Sequence, residues 1–124
     1  MSASGGLLIN QILKDLLASV PGARAVIFLD GDGETIAQTG EAIGDVKLIG
    51  AWKEIQFDRI KTIAGRLGFG KVEAVLFSRE DGNELVVPVA EEYCLLLFLS
   101  AYANIQDAMT ELSHAIALLK QDIL

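Results

Sequence analysis

Three kinds of hydrophobic pattern alternate along the chain. The densest lies at 93–101 (Tyr-Cys-Leu-Leu-Leu-Phe-Leu-Ser-Ala), which is apolar at nearly every position and not at alternate ones. It is too short to span a bilayer as a helix, and the polar Glu91-Glu92 precedes it. Length and boundary predict a strand covered on both faces, in the middle of a sheet, with helices above and below. A second apolar strand is predicted at 23–29, beside the first. Two Asp-Gly pairs follow it (Asp30-Gly31, Asp32-Gly33), and they predict a hairpin into a short, weakly hydrophobic strand at 34–38, suited to a sheet edge. Further strands are predicted at 71–78 and 84–89. Pro88 in the latter cannot donate to a ladder, so it belongs at a strand end or a bulge.

The helical period marks three other segments. At 7–19, Ile9, Ile12, Leu13, Leu16, Leu17 and Val20 repeat at i, i+3, i+4 spacing, and Val20-Pro21-Gly22 stops the helix. At 104–123, Ile105, Ala108, Met109, Leu112, Ile116 and Leu119 line one face, with Asn104 placed to cap the first turn. A glycine-bearing loop at 39–45 leads into a long helical pattern at 46–67, ended by Gly68-Phe69-Gly70. The order is αββαβββα. It implies an α/β fold: an α-β-α sandwich around a mainly antiparallel five-stranded sheet.

The middle helix has more apolar surface than one face can use. Val46, Ile49, Trp52, Phe57, Ile60, Ile63, Ala64 and Leu67 form a broad stripe, into which Lys53 and Gln56 intrude, so an irregular start is expected. Leu48, Ala51 and Ile55 lie on a second arc, continued by Arg59, Thr62 and Arg66. Two apolar arcs imply two packing partners. One is the helix's own sheet, and the preferred second is another copy of the chain, because symmetric homodimers are the commonest oligomers.

Composition narrows the function. The 124 residues fit one domain, read as residues 7–124 after a flexible leader at 1–6. Ten basic against seventeen acidic residues give a net charge of −7, which argues against nucleic acid or an anionic membrane as partner. No apolar run is long enough for direct membrane insertion. Cys94 is the only cysteine, so no internal disulfide forms, and a cytoplasmic location fits that.

The chemical motifs resolve into ordinary structure. Gly65-Arg66-Leu67-Gly68-Phe69-Gly70-Lys71 nearly spells a phosphate-binding loop, but Val72 stands where Ser or Thr must bind magnesium. It also closes a helix where such a loop opens one. Asp30-Gly31-Asp32-Gly33-Glu34 has carboxylates but strand flanks, so a hairpin is favoured over a calcium loop. His114 lies opposite the apolar face of its helix and has no second histidine to work with, and Cys94 reads as a core residue. No catalytic constellation and no cofactor motif is evident, so an enzyme ranks last.

The order of elements and several residues together resemble the roadblock family of dynein light chains and their prokaryotic relatives. The likeness rests on the Leu-rich first helix ending in Val20-Pro21-Gly22-Ala23 and on Val26-Ile27-Phe28-Leu29 with its Asp30-Gly31 turn. The long central helix and the final strand-helix pair complete it. The resemblance implies homodimers or heterodimers joined edge to edge at the strand after the long helix, here 71–77, with the long helices side by side. It also implies a non-enzymatic platform or regulator for a small Ras-like GTPase, in some members raising its GTPase rate. The expected dimer or partner surface is then Leu48, Ala51, Ile55, Arg59, Thr62 and Arg66 on the helix, with Val72, Ala74 and Leu76 on the pairing strand. Two other readings share this architecture: a longin- or profilin-like adaptor, and a small-molecule sensor with a pocket between sheet and helix.

Overall fold

In the computed structural model, which describes residues 2–42 and 44–123, the elements follow the predicted order. They are α1 (Ser2–Ser19), β1 (Ala23–Leu29), β2 (Thr35–Gly40), α2 (Val46–Arg66), β3 (Val75–Arg79), β4 (Gly82–Val89), β5 (Tyr93–Leu99) and α3 (Ile105–Ile123). The five strands form one antiparallel sheet in the order β2-β1-β5-β4-β3. The apolar segment at 93–101 therefore supplies the central strand, and β1 lies beside it as its pattern required. Met1 of the expected leader, and the side chain of Val46 in the expected stripe, lie outside the described residues. The first helix begins at Ser2 and not at residue 7, so the leader from Ser2 onward is helical.

Each face of the sheet has its own core. On one, Val26, Phe28, Leu85, Leu95, Leu97 and Leu99 meet Leu13 and Leu16 of α1 and Leu112 and Leu119 of α3. On the other, Ile27, Leu29, Val86, Cys94, Leu96 and Phe98 lie beneath α2, which contributes Phe57 and, partly buried, Ile49. Every residue from Cys94 to Leu99 is buried, which is what an unbroken apolar run accomplishes on a strand covered on both sides. His114 is largely exposed on α3, 3.7 Å from Glu111.

Local chemistry fixes the ends. Asp30 closes the β1–β2 hairpin: its Oδ1 accepts from the amides of Asp32 (2.9 Å) and Glu34 (3.0 Å). The hairpin favoured over a calcium loop is thus held by the Asp30 carboxylate itself. Asp45 caps α2 by accepting from the Leu48 amide at 3.1 Å, and Asn104 caps α3 by accepting from the Asp107 amide at 3.0 Å. The start of α2 is regular, contrary to the irregularity expected from Lys53 and Gln56. It lies close on the hairpin, since a Cβ on Gly50 would stand 2.8 Å from the Gly33 carbonyl oxygen. At its other end the Phe69 amide donates to the Ala64 carbonyl (2.9 Å) and the Gly68 amide to that of Gly65 (3.2 Å). With Gly68 at φ 72 this is a Schellman cap. The stretch that resembled a phosphate loop is a helix terminator.

One predicted element is shorter than expected. The strand expected at 71–78 begins only at Val75. The cause lies across the ladder. Arg79 and Gly82 flank a two-residue turn, so their backbone groups face each other, and counting by twos from Gly82 points the Pro88 nitrogen at β3. Pro88 has no hydrogen to donate there, and the β3–β4 ladder ends at Val75–Val86. Val72 and Ala74 consequently precede the strand on which they were expected to lie.

Candidate interaction surface and a buried ion cluster

The sheet-facing side of α2 is narrow. Ile49, Lys53, Phe57, Ile60 and Ala64 face inward to different degrees, at the spacing of one helical stripe. The outward side is unusually apolar: Leu48 is 66% exposed, Trp52 52%, Ile55 54% and Ile63 56%. Leu67 and Phe69 continue this exposed apolar surface past the helix end. Ala51, Arg59, Thr62 and Arg66 are exposed on the same helix, so all six helix residues expected at an interface do lie on its solvent side. The Thr62 hydroxyl is turned inward along the helix and donates to the Asp58 carbonyl at 3.0 Å.

The strand residues divide. Leu76 lies on β3 and is exposed, whereas Val72 and Ala74 are half-buried before it. Val72 packs toward the α2-side core and Ala74 toward the α1/α3-side core. β3 pairs only with β4, so its outer backbone edge has no strand beside it among the described residues. Trp52 of the apolar helix face and Phe77 of β3 both lie against the Lys53 ammonium, and Leu48, Trp52 and Arg79 line one cavity, so this part of the helix face neighbours the open strand edge.

Trp52, Ile63 and Leu67 were expected to face the sheet and do not. The broad stripe spanned roughly 140° of arc at about 100° per residue, more than one contact line can cover. Lys53 decides which part is buried. Its side chain is 9% exposed and its Nζ lies 2.8 Å from Glu84 Oε2, on a side chain 3% exposed. The other oxygen, Oε1, meets Arg79 Nη2 at 2.7 Å. The ammonium also lies over the rings of Phe77 (4.0 Å to the centroid) and Trp52 (5.0 Å). Pairing with Glu84 on β4 rolls α2 toward positions 53 and 57, and Trp52 and Ile63 turn out to solvent. The signal was available: a lysine inside an apolar helical stripe, and one acid opening the otherwise apolar run at 84–89.

No protein-family model matches the sequence, and no curated protein does. Solved structures match the fold closely. A roadblock/LC7 domain from Streptomyces avermitilis superposes with a TM-score of 0.85, at 16% identity, covering 92% of this chain and 96% of that one. The gliding protein MglB from Thermus thermophilus gives 0.84 at 16% identity, over 95% of this chain and 90% of that one. Profilin II from Acanthamoeba castellanii shares the architecture less closely, at 0.67 and 13% identity over 93% and 98%. Among the described residues no helix is long and apolar enough to cross a membrane. The element order, the antiparallel sheet and these superpositions together identify the fold of the chain as that of the roadblock/LC7 domain.

Proposed function

We propose that this protein is a cytoplasmic, dimeric binding module that regulates or scaffolds a small Ras-like GTPase and acts through contacts and not chemistry. The observation that carries the reading is the outer face of α2, where Leu48, Trp52, Ile55 and Ile63 are each more than half exposed. Large apolar side chains left exposed together on one helix face point to an interaction site. Its position beside the open edge of β3 favours a second copy of the chain, because an edge strand left bare invites uncontrolled pairing. In support, MglB, whose fold this chain shares, has been solved in a tetrameric arrangement. The GTPase part of the proposal follows from the family resemblance. Residues 7–124 are taken as the working domain, with Arg59, Thr62 and Arg66 as the polar positions on the same helix face.

The test is a capture experiment with the purified protein as bait in lysate of its source organism, run with GDP and with a non-hydrolysable GTP analogue. A small GTPase retained only with the analogue supports a regulator, and its hydrolysis rate is then measured with and without the module. Equal retention in both supports a scaffold, because a ligand that binds two states equally shifts neither. Retention of no GTPase overturns that half of the proposal.

A further inference from the structure

The ion cluster under α2 borders a cavity of about 390 Å³. Leu48, Trp52 and Phe98 form its apolar side, and Lys53, Glu84 and Arg79 its polar side. The volume is that of a small-molecule site, and a few fixed polar groups on an apolar wall are what such sites use to orient a ligand. The charges differ in exposure. Two cations share one buried carboxylate, with Lys53 on one oxygen and Arg79 on the other. The next acid, Asp81, is 3.7 Å from Arg79 Nε with its side chain 81% exposed, so solvent screens it. Lys53 and Glu84 offset each other at the buried end, and Arg79 stands more than half exposed at the open side of the cavity, with guanidinium donors that neither carboxylate uses. The chain as a whole carries −7, so anions are not drawn to it in general.

We propose that this cavity binds a small amphipathic carboxylate, a single anionic group on an apolar body. The carboxylate meets the Arg79 guanidinium, which is 57% exposed and has donors beyond those directed at Glu84 and Asp81. The apolar body lies against the Trp52 indole, Leu48 and Phe98. A second charge on the ligand would have to desolvate against those side chains, so dicarboxylates are disfavoured. The site stands on the ion cluster and the cavity, and it shares Leu48 and Trp52 with the α2 face proposed as an interface, so a second copy seated there would border the same cavity.

Trp52 is the only tryptophan in the chain, so its emission reports the cavity directly. The experiment titrates the full chain with phenylbutyrate and with the corresponding neutral amide. The expected result is a saturable change in Trp52 emission, with the acid binding about tenfold tighter than the amide, the margin between a charge-assisted and a neutral hydrogen bond. Arg79→Gln leaves the Lys53–Glu84 pair in place and should abolish the preference for the acid. The same titration on Ile55→Asp keeps the test valid if self-association narrows the mouth of the cavity. Equal binding of acid and amide overturns the proposal, as does a preference that survives Arg79→Gln. Lack of saturation in both wild type and Ile55→Asp also overturns it.

Discussion

Glu84 gives one oxygen to Lys53 and the other to Arg79, so removing this single side chain strands a buried ammonium. A buried ion without its partner costs far more than the pair contributes, because desolvation is no longer offset by attraction. Glu84→Leu should therefore destabilise the fold by about 3–5 kcal/mol. Replacing both partners, Lys53→Met with Glu84→Leu, should recover most of that loss, since an apolar pair of similar volume fits a dry site. Urea unfolding followed by circular dichroism measures both variants. An unchanged midpoint for Glu84→Leu would remove the pair from any account of how α2 is held. The same residues show where the sequence ran out. Lys53 was visible as an intruder in an apolar stripe, but its partner lies thirty-one positions away on another strand. Periodicity on one helix carries no information about a contact of that range.

At the level of elements, the two glycines at the end of α2 look alike in sequence and should respond oppositely. Gly65 lies in the helix, and a Cβ there would meet nothing within 4 Å. Gly65→Ala should stabilise by about 0.5–1 kcal/mol through the lower entropy of the unfolded chain. Gly68 also has open space, but its φ of 72 is the left-handed turn of the Schellman cap. Gly68→Ala should destabilise by about 1 kcal/mol. Thermal melts of the two variants should move in opposite directions, and a shift of the same sign in both would contradict the cap geometry. Helices and strands were legible here because each carries its own period and its own stop signal, as Val20-Pro21-Gly22 and Gly68 do. The start of β3 was not legible. Residues 71–74 have a strand-like pattern, and what ends the ladder is the missing amide hydrogen of Pro88 on the neighbouring strand. The sheet face of α2 was legible only in part, because which arc is buried depends on a cross-element ion pair.

At the scale of the molecule, one flank combines an apolar helix face with an unpaired strand edge. A two-fold axis along that flank would let each copy cover both features of the other with the same patch, the arrangement that closes an assembly at two. Six helix positions of that surface, Leu48 to Arg66, followed from the second arc of the sequence pattern, whereas Trp52 and Ile63 joined it only once the roll of α2 was known. Ile55 separates association from folding, because at 54% exposed it adds little to the core. Ile55→Asp should therefore give a folded monomer, since in a dimer the new carboxylate would be buried without a partner. Gel filtration with light scattering measures the mass, and circular dichroism checks the fold. Leu118→Asp is the matched control: it places the same charge at an equally exposed leucine on α3, across the sheet from α2. Its mass should equal that of the wild type. A dimer that survives Ile55→Asp but dissociates with Leu118→Asp would move the interface to the α1/α3 face and leave the outer surface of α2 free for another partner.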